Sequence, residues 1–283
     1  YGLVGSEMCI RDSTNVVFDW QTENLPTPSG TGQLEGFELS RATSTATTRE
    51  SNVAQISSRD ATVSGSQDAS DPAGKKQELA HQMALMSKAL KRDMEVALCQ
   101  NTAKNAGNAT TARQTRSFEA WITTNKSRGT GGADGSASAA ATDATTGNRR
   151  ALTEALLKGV LQSMFTNGAE PKMAIAGPVN KGVISGFTGR SNTRQNVSAD
   201  TVSASISVYA SDFGELQIVP SNRSRDRSLL LVDPEYAKVA YLRNFQTMDI
   251  AKIGDADTKM ILAEYGLEMS NEAAHGIVAD LTA

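Results

Sequence analysis

The chain has 283 residues, enough for one large domain or two interlocked ones, with 39% hydrophobic and 21% charged residues and a net charge of -3. No apolar run reaches the roughly 18 residues of a membrane helix, and the near-neutral charge excludes the broad basic surface of a protein that grips nucleic acid. Cys9 and Cys99 are the only cysteines, so no disulfide framework exists and a reducing cytoplasm fits. Aromatics make up 5%, which favours extended, hydrogen-bonding surfaces over a thick aromatic core.

Tyr1 to Ser13 lacks the basic start, apolar centre and cleavage site of a signal peptide. The text resembles a translated sequencing adaptor, so residues 1–13 are expected to contribute nothing to the fold. Residues 14–42, punctuated by Trp20, Pro26, Pro28, Gly30, Gly32 and Gly36, read as an extended arm truncated at its start. Residues 43–69 are rich in Thr and Ser, with Val53, Ile56 and Val63 loosely alternating, and predict a long two-stranded hairpin that needs a covering partner. Asp71-Pro72 predicts a helix start. Leu79, Met83, Met86, Leu90, Met94 and Ala97 then recur at spacings of three and four to about residue 101, a structural spine.

A short element is expected around Trp121, and the Gly, Ala, Ser and Thr stretch at 124–148 reads as a mobile surface loop. Thr153 caps a helix with Leu156, Val160 and Met164 as its buried stripe, Leu152 and Leu157 as a staple, and Asn167-Gly168 as its stop. Met173 to Ala176 predicts a strand, and Gly177-Pro178 opens a helix with Val179, Val183 and Phe187 on one face. Val202, Ala204, Ile206, Val208 and Ala210 alternate with Ser203, Ser205, Ser207 and Tyr209 as a half-buried strand. Further strands are expected at 215–219, 228–232, 236–242 and about 247–253.

No constellation for chemistry emerges. His81 lies one position off the apolar stripe of the spine and His275 lies in an Ala-rich segment, neither within a recognisable motif. No G-x-S-x-G elbow, H-E-x-x-H or paired C-x-x-C occurs, so no catalytic, cofactor-binding or metal residues are assigned. The glycines at 129, 131, 132 and 135 lack the strand and the Gly-Lys-Ser/Thr of a phosphate loop. Lys91, Arg92, Asp93 and Glu95 mix signs on the spine, as on a solvated face or an ordered subunit contact.

The order of arm, hairpin, long helix, α/β portion and terminal strands is joined by stretches of text that carry a resemblance. FDWQTENL at 18–25, LEGFE at 34–38, RESNVAQI at 49–56, LKRDMEVAL at 90–98, NGAEPKMAI at 167–175, VYASDFGELQIV at 208–219 and LLLVDPEYAKVAYL at 229–242 are similar to the SU-ten-like family of tailed-phage major capsid proteins. The resemblance implies an α+β, Hong Kong 97-type fold with an N-terminal arm, an extended β-hairpin loop, a spine helix, and peripheral and axial domains. It implies an extended loop at 43–70, a peripheral domain with the spine at 71–122, a flexible loop at 123–150, mainly axial residues at 151–200, and strands shared by both domains at 201–283. Function would then be self-assembly into an icosahedral shell that encloses double-stranded DNA without sequence-specific binding. The partners implied are copies of the chain in hexamers and pentamers, with scaffold, portal and cement proteins, and the location is a virion assembled in the host cytoplasm. The resemblance also places Arg49, Asn52 and Gln55 in the extended loop, and Arg49, Asn52, Val53, Gln55 and Ile56 are the expected interface residues. A bacterial nanocompartment shell or a flagellin-like filament are the alternative readings.

Overall fold

The computed structural model describes residues 9–23, 30, 32–38, 46–70, 77–187, 207–252 and 254–282. In chain order the first strands are β1 (Cys9–Asp12), β2 (Val17–Thr22), β3 (Thr48–Val53) and β4 (Gln55–Ser64), followed by the short helix α1 (Gly65–Ala69). Residues 43–69 do not form the expected hairpin with themselves. β3 pairs antiparallel with β2, from Val17 opposite Val53 to Thr22 opposite Thr48. β4 leaves after the single residue Ala54 for another sheet. The reason is apolar area: β3 has little to bury, and β2 supplies Phe18 and Trp20, both in the core.

The spine α2 (Glu78–Cys99) buries Leu90, Met94, Leu98 and Cys99 and spans about 33 Å at 1.5 Å per residue. The expected start at Asp71-Pro72 lies outside the described residues. α2 lies along β4, where Ala61 and Val63 are buried and Arg59 makes a two-point contact with Asp93 at 2.6 and 2.8 Å. After α2 come α3 (Phe118–Trp121), β5 (Asn125–Ser127), α4 (Glu154–Thr166), β6 (Met173–Ala176), α5 (Pro178–Ser185), β7 (Val208–Ser211), β8 (Gly214–Pro220) and β9 (Leu229–Val232). The chain ends in β10 (Ala237–Ile250), β11 (Ala256–Met269) and β12 (Gly276–Val278).

One sheet has the order β5-β12-β9-β6-β8-β7 and is covered on both faces. Leu229 and Leu231 join a core with Leu157, Val160, Leu161 and Met164 of α4 and Ile184 of α5. Leu230 and Val232 join the larger core with Phe118, Trp121, Cys99 and Tyr265. Covered faces explain why LLLV reads as a continuous apolar run instead of an alternating one. The Thr153 hydroxyl caps α4 by accepting from Leu156 N at 3.4 Å, as expected.

The other large sheet has the order β1-β10-β11-β4. β10 and β11 are long strands of one antiparallel hairpin, so the two strands expected near 236–242 and 247–253 are halves of one. Register shifts between Tyr241 and Arg243, and again before Gln246, mark irregularities between those halves. β11 was not legible because buried Glu264 and Glu268 interrupt its apolar pattern.

Four further expectations are corrected. Cys9–Asp12 is not idle text: it runs parallel to Lys238–Tyr241 of β10, and Ser13 N donates to Tyr241 O at 2.7 Å. The stretch at 124–148 is pinned, not loose, because the buried Asp280 carboxylate accepts from Gly129 N at 2.9 Å and Ala144 N at 2.6 Å. A Cβ on Gly135 would stand 2.6 Å from Ala120 O, so the loop lies against α3. The strand face at 208–210 is inverted: Tyr209 is buried with its hydroxyl donating to Glu154 at 3.0 Å, while Val208 and Ala210 are exposed. Residues 202–206 of that expected strand lie outside the described residues. On α5 the buried residues are Asn180 and Ile184, leaving Val179 and Val183 outward.

Candidate assembly surface

The five expected interface residues do not share a surface. Arg49 points outward, its side chain 76% exposed and ion-paired with Asp19 on the facing strand. Ile56 is also exposed, on β4 opposite Glu264. Asn52 and Val53 are fully inside the subunit. Asn52 Nδ2 donates to Leu267 O at 2.7 Å, Thr115 Oγ1 at 3.0 Å and Arg116 O at 3.3 Å, while its Oδ1 accepts from Val53 N and Arg116 N, each at 2.9 Å. Gln55 is half-buried and its Oε1 accepts from Thr115 N at 3.3 Å. Asn52, Val53 and Gln55 therefore bind the 101–117 segment and β11 to the β2–β3 pair, a joint within one subunit. A buried amide with all its groups engaged has nothing left for a neighbour.

Exposed apolar side chains occur in the connection between β2 and β3. Its described part holds a turn in which Phe37 N donates to Leu34 O at 3.1 Å and Gly36 takes φ +79°, a left-handed conformation that glycine adopts without strain. The turn presents Leu34, 85% exposed, and Phe37, 53% exposed, beside Glu35 and Glu38. LEGFE was visible in the sequence, but its place at a hairpin tip needed the pairing of β2 with β3. A second exposed apolar pair, Met248 and Ile250, lies toward the far end of β10 and β11, where the ion pairs Lys259–Asp249 (3.0 Å) and Lys252–Asp257 (2.7 Å) decorate the strands.

Buried charge elsewhere is structural in its partners. Glu119 of α3 accepts from Arg225 Nη1 at 2.9 Å and from the Ser228 hydroxyl at 3.1 Å, and burial raises its pKa against the pull of Arg225. His275 is buried, with Nδ1 accepting from Asp233 N at 3.3 Å and its ring edge-on to Phe118, and burial pushes its pKa down to about 4. Burial pushes the Cys99 thiol up to about 12. His81 is exposed on α2. A polar cavity of about 210 Å³ beside Asn167, Lys172, Asp233 and Glu235 is bridged by its own ions, Lys172 lying 3.7 Å from Asp233 and 3.5 Å from Glu235. Among the described residues no group of His, Cys, Asp and Glu is placed to hold a metal ion, and no helix is long and apolar enough to cross a membrane.

No curated protein sequence matches the chain. Solved structures resemble it over nearly its full length. The capsid of a native GTA particle shares 10% identity, with 99% of this chain and 90% of that chain covered and a TM-score of 0.65. Gordonia phage Cozz shares 12%, covering 98% and 85% at 0.60, and the capsid of cyanophage A-1(L) shares 12%, covering 99% and 92% at 0.62. At such identities the likeness is one of fold, and it supports the Hong Kong 97-type architecture. A family model described as SU10 major capsid protein matches residues 2–282, including most of the stretch read as adaptor text. With both cores, the spine and the β2–β3 pair inside that match, the chain belongs to the SU10 major capsid protein family and is a capsid shell subunit.

Proposed function

We propose that copies of the chain tile into hexamers and pentamers that close around double-stranded DNA, and that the β2–β3 hairpin with its connection at 23–47 is the element that reaches a neighbour. The carrying observation is the contrast along that hairpin. At its base Phe18, Trp20 and Val53 are buried in the main core, whereas Leu34 and Phe37 at the connection are among the most exposed large apolar side chains of the described residues. Exposed apolar area forgoes about 25 cal/mol per Å², and a neighbouring subunit recovers it. Heterologous contacts of this kind close into rings when the rotation between copies allows.

The role is structural, without catalytic turnover. Portal, scaffold and cement proteins are the partners expected of such a shell, and assembly takes place in the host cytoplasm. The nanocompartment and filament alternatives fall away, because the matching family and the similar structures are phage and GTA capsids. Replacing residues 24–45 by a short Gly-Ser link tests the proposal, because it keeps β2, β3 and both cores. The expected result is an unchanged thermal transition and helical signal with no closed shells by electron microscopy. Shells that still close overturn the assignment of the hairpin, and so does a variant that fails to fold, since the connection would then belong to the subunit core.

A further inference from the structure

The sequence sets Lys91, Arg92, Asp93 and Glu95 close together on α2, and folding engages the carboxylates while it leaves the cations exposed. α2 holds three carboxylates, and each has a partner within the subunit. Glu78 Oε1 accepts from Gln82 Nε2 at 2.6 Å, Asp93 is held by Arg59, and Glu95 accepts from the Ser221 hydroxyl. The cations are left to solvent. Lys88, Lys91 and Arg92 are exposed, with His81 and Leu85 on the same side. Lys91 Nζ rests 5.8 Å from the centre of the Phe245 ring, while Lys88 and Arg92 have no carboxylate partner among the described residues.

Positions 81, 85, 88 and 92 follow the helical spacing of three and four, so they form one stripe along the axis. Lys88 and Arg92 are separated by about 6 Å of rise, and duplex DNA offers one phosphate per about 3.4 Å of axis on each strand. A run of exposed cations whose neighbouring carboxylates, Asp93 and Glu95, are engaged within the subunit complements such a line of anions. The acidic turn at Leu34–Glu38 of a second copy is the competing occupant. It carries two large apolar side chains, and the stripe offers only Leu85 to cover them, so the ligand that fits is anionic without being apolar.

We infer that the outward face of α2, through Lys88, Lys91 and Arg92, contacts the phosphate backbone of duplex DNA held inside the shell. The inference rests on the reading of the chain as the wall of a DNA-filled head. Each contact is weak, since three cations release few counterions, and repetition over many subunits supplies avidity. The whole chain carries a net charge of -3, so the rest of it, without these three cations, is more acidic still and repels DNA, leaving the stripe as the preferred point of touch.

Fluorescence anisotropy of a labelled mixed-sequence duplex of about 30 base pairs, titrated with the purified full chain at about 50 mM salt, tests the contact. The expected result is salt-dependent binding that K88Q/K91Q/R92Q weakens at least about tenfold, with a log–log salt slope smaller by about 2–3. R49Q/K252Q/K259Q, which removes the same charge elsewhere, leaves affinity within about twofold. No binding by the native chain, or equal loss in both variants, overturns the inference. So does displacement of the DNA by a Gly32–Glu38 peptide, which would make the stripe a contact between copies. Shell closure is scored separately by negative-stain microscopy, so failure of the shell reading and failure of this contact are told apart.

Discussion

Asn52 gives the severest test of how the subunit is built. Its side chain donates to Leu267 O and Thr115 Oγ1 and accepts from Val53 N and Arg116 N, at 2.7 to 3.0 Å, in a site closed to solvent. Asn52→Ala leaves the N–H groups of Val53 and Arg116 without that acceptor and takes one donor from Leu267 O. An orphaned buried polar group costs about 1–3 kcal/mol, so losing two donor partners removes about 2–5 kcal/mol. Against a total stability of about 5–15 kcal/mol this is a large fraction. The assay is urea unfolding of unassembled subunits followed by far-UV circular dichroism, with Arg49→Ala as the comparison. Arg49 lies three residues away on the same strand but is 76% exposed, so its loss changes stability by no more than about 0.5 kcal/mol. If Asn52→Ala costs under about 1 kcal/mol, or if the two variants behave alike, the joint is not what holds β3 to β11.

Three further outcomes follow from single sites. His275 has a folded pKa near 4 against an ordinary 6.5 because it is buried, so the unfolded chain takes up the proton first as pH falls. Its contribution is complete above 6.5 and is lost between 6.5 and 4, by at most about 3 kcal/mol; an H275Q variant whose stability falls as steeply across that window as the native chain's would refute the assignment. Gly266→Ala would place a methyl 2.6 Å from Phe18 Cε1 and 3.0 Å from Val53 O, costing about 1–3 kcal/mol and loosening the β2–β3 pair; an unchanged melting temperature contradicts it. Deleting Tyr1–Asp12 removes the parallel pairing of β1 with β10, a loss of about 1 kcal/mol and roughly 2–4 °C in Tm, and identical melting curves would show that the edge does not need its strand.

Legibility in the sequence followed the range of the interactions. α2 and α4 were readable because their apolar residues recur within one turn and Thr153 sits where a cap must sit, all information held in neighbours. The partner of β3 was not readable, because residues 48–53 pair with 17–22 across a long connection while β4 pairs with residues near the C-terminus. Local alternation says that a strand exists and nothing about which edge it joins. The same limit hid the role of Asn52: beside Val53 in a Thr-rich segment it read as a surface amide, and only Leu267, far along the chain, makes it a core residue. The loop at 124–148 misled for a related reason, since Asp280 supplies from the C-terminus the acceptors its backbone needs.

The placement of buried polar groups shows which surfaces are spent inside the subunit. β9 and β12 send alternate residues into two cores, so the sheet that contains them is spent on both faces inside the subunit. α2 is covered along its buried stripe by β4, and its carboxylates are consumed by Arg59, Ser221 and Gln82. Large apolar side chains are exposed both on the β2–β3 connection, at Leu34 and Phe37, and on the body, at Ile56 of β4, Phe165 of α4, Val179 and Val183 of α5 and Met248 and Ile250 of β10. A shell made of hexamers and pentamers needs one sequence to satisfy more than one set of neighbour angles. The exposed turn at Leu34–Glu38, as the proposed contact, meets that need, because shifting such a turn disturbs few packed side chains whereas bending the body would open both cores.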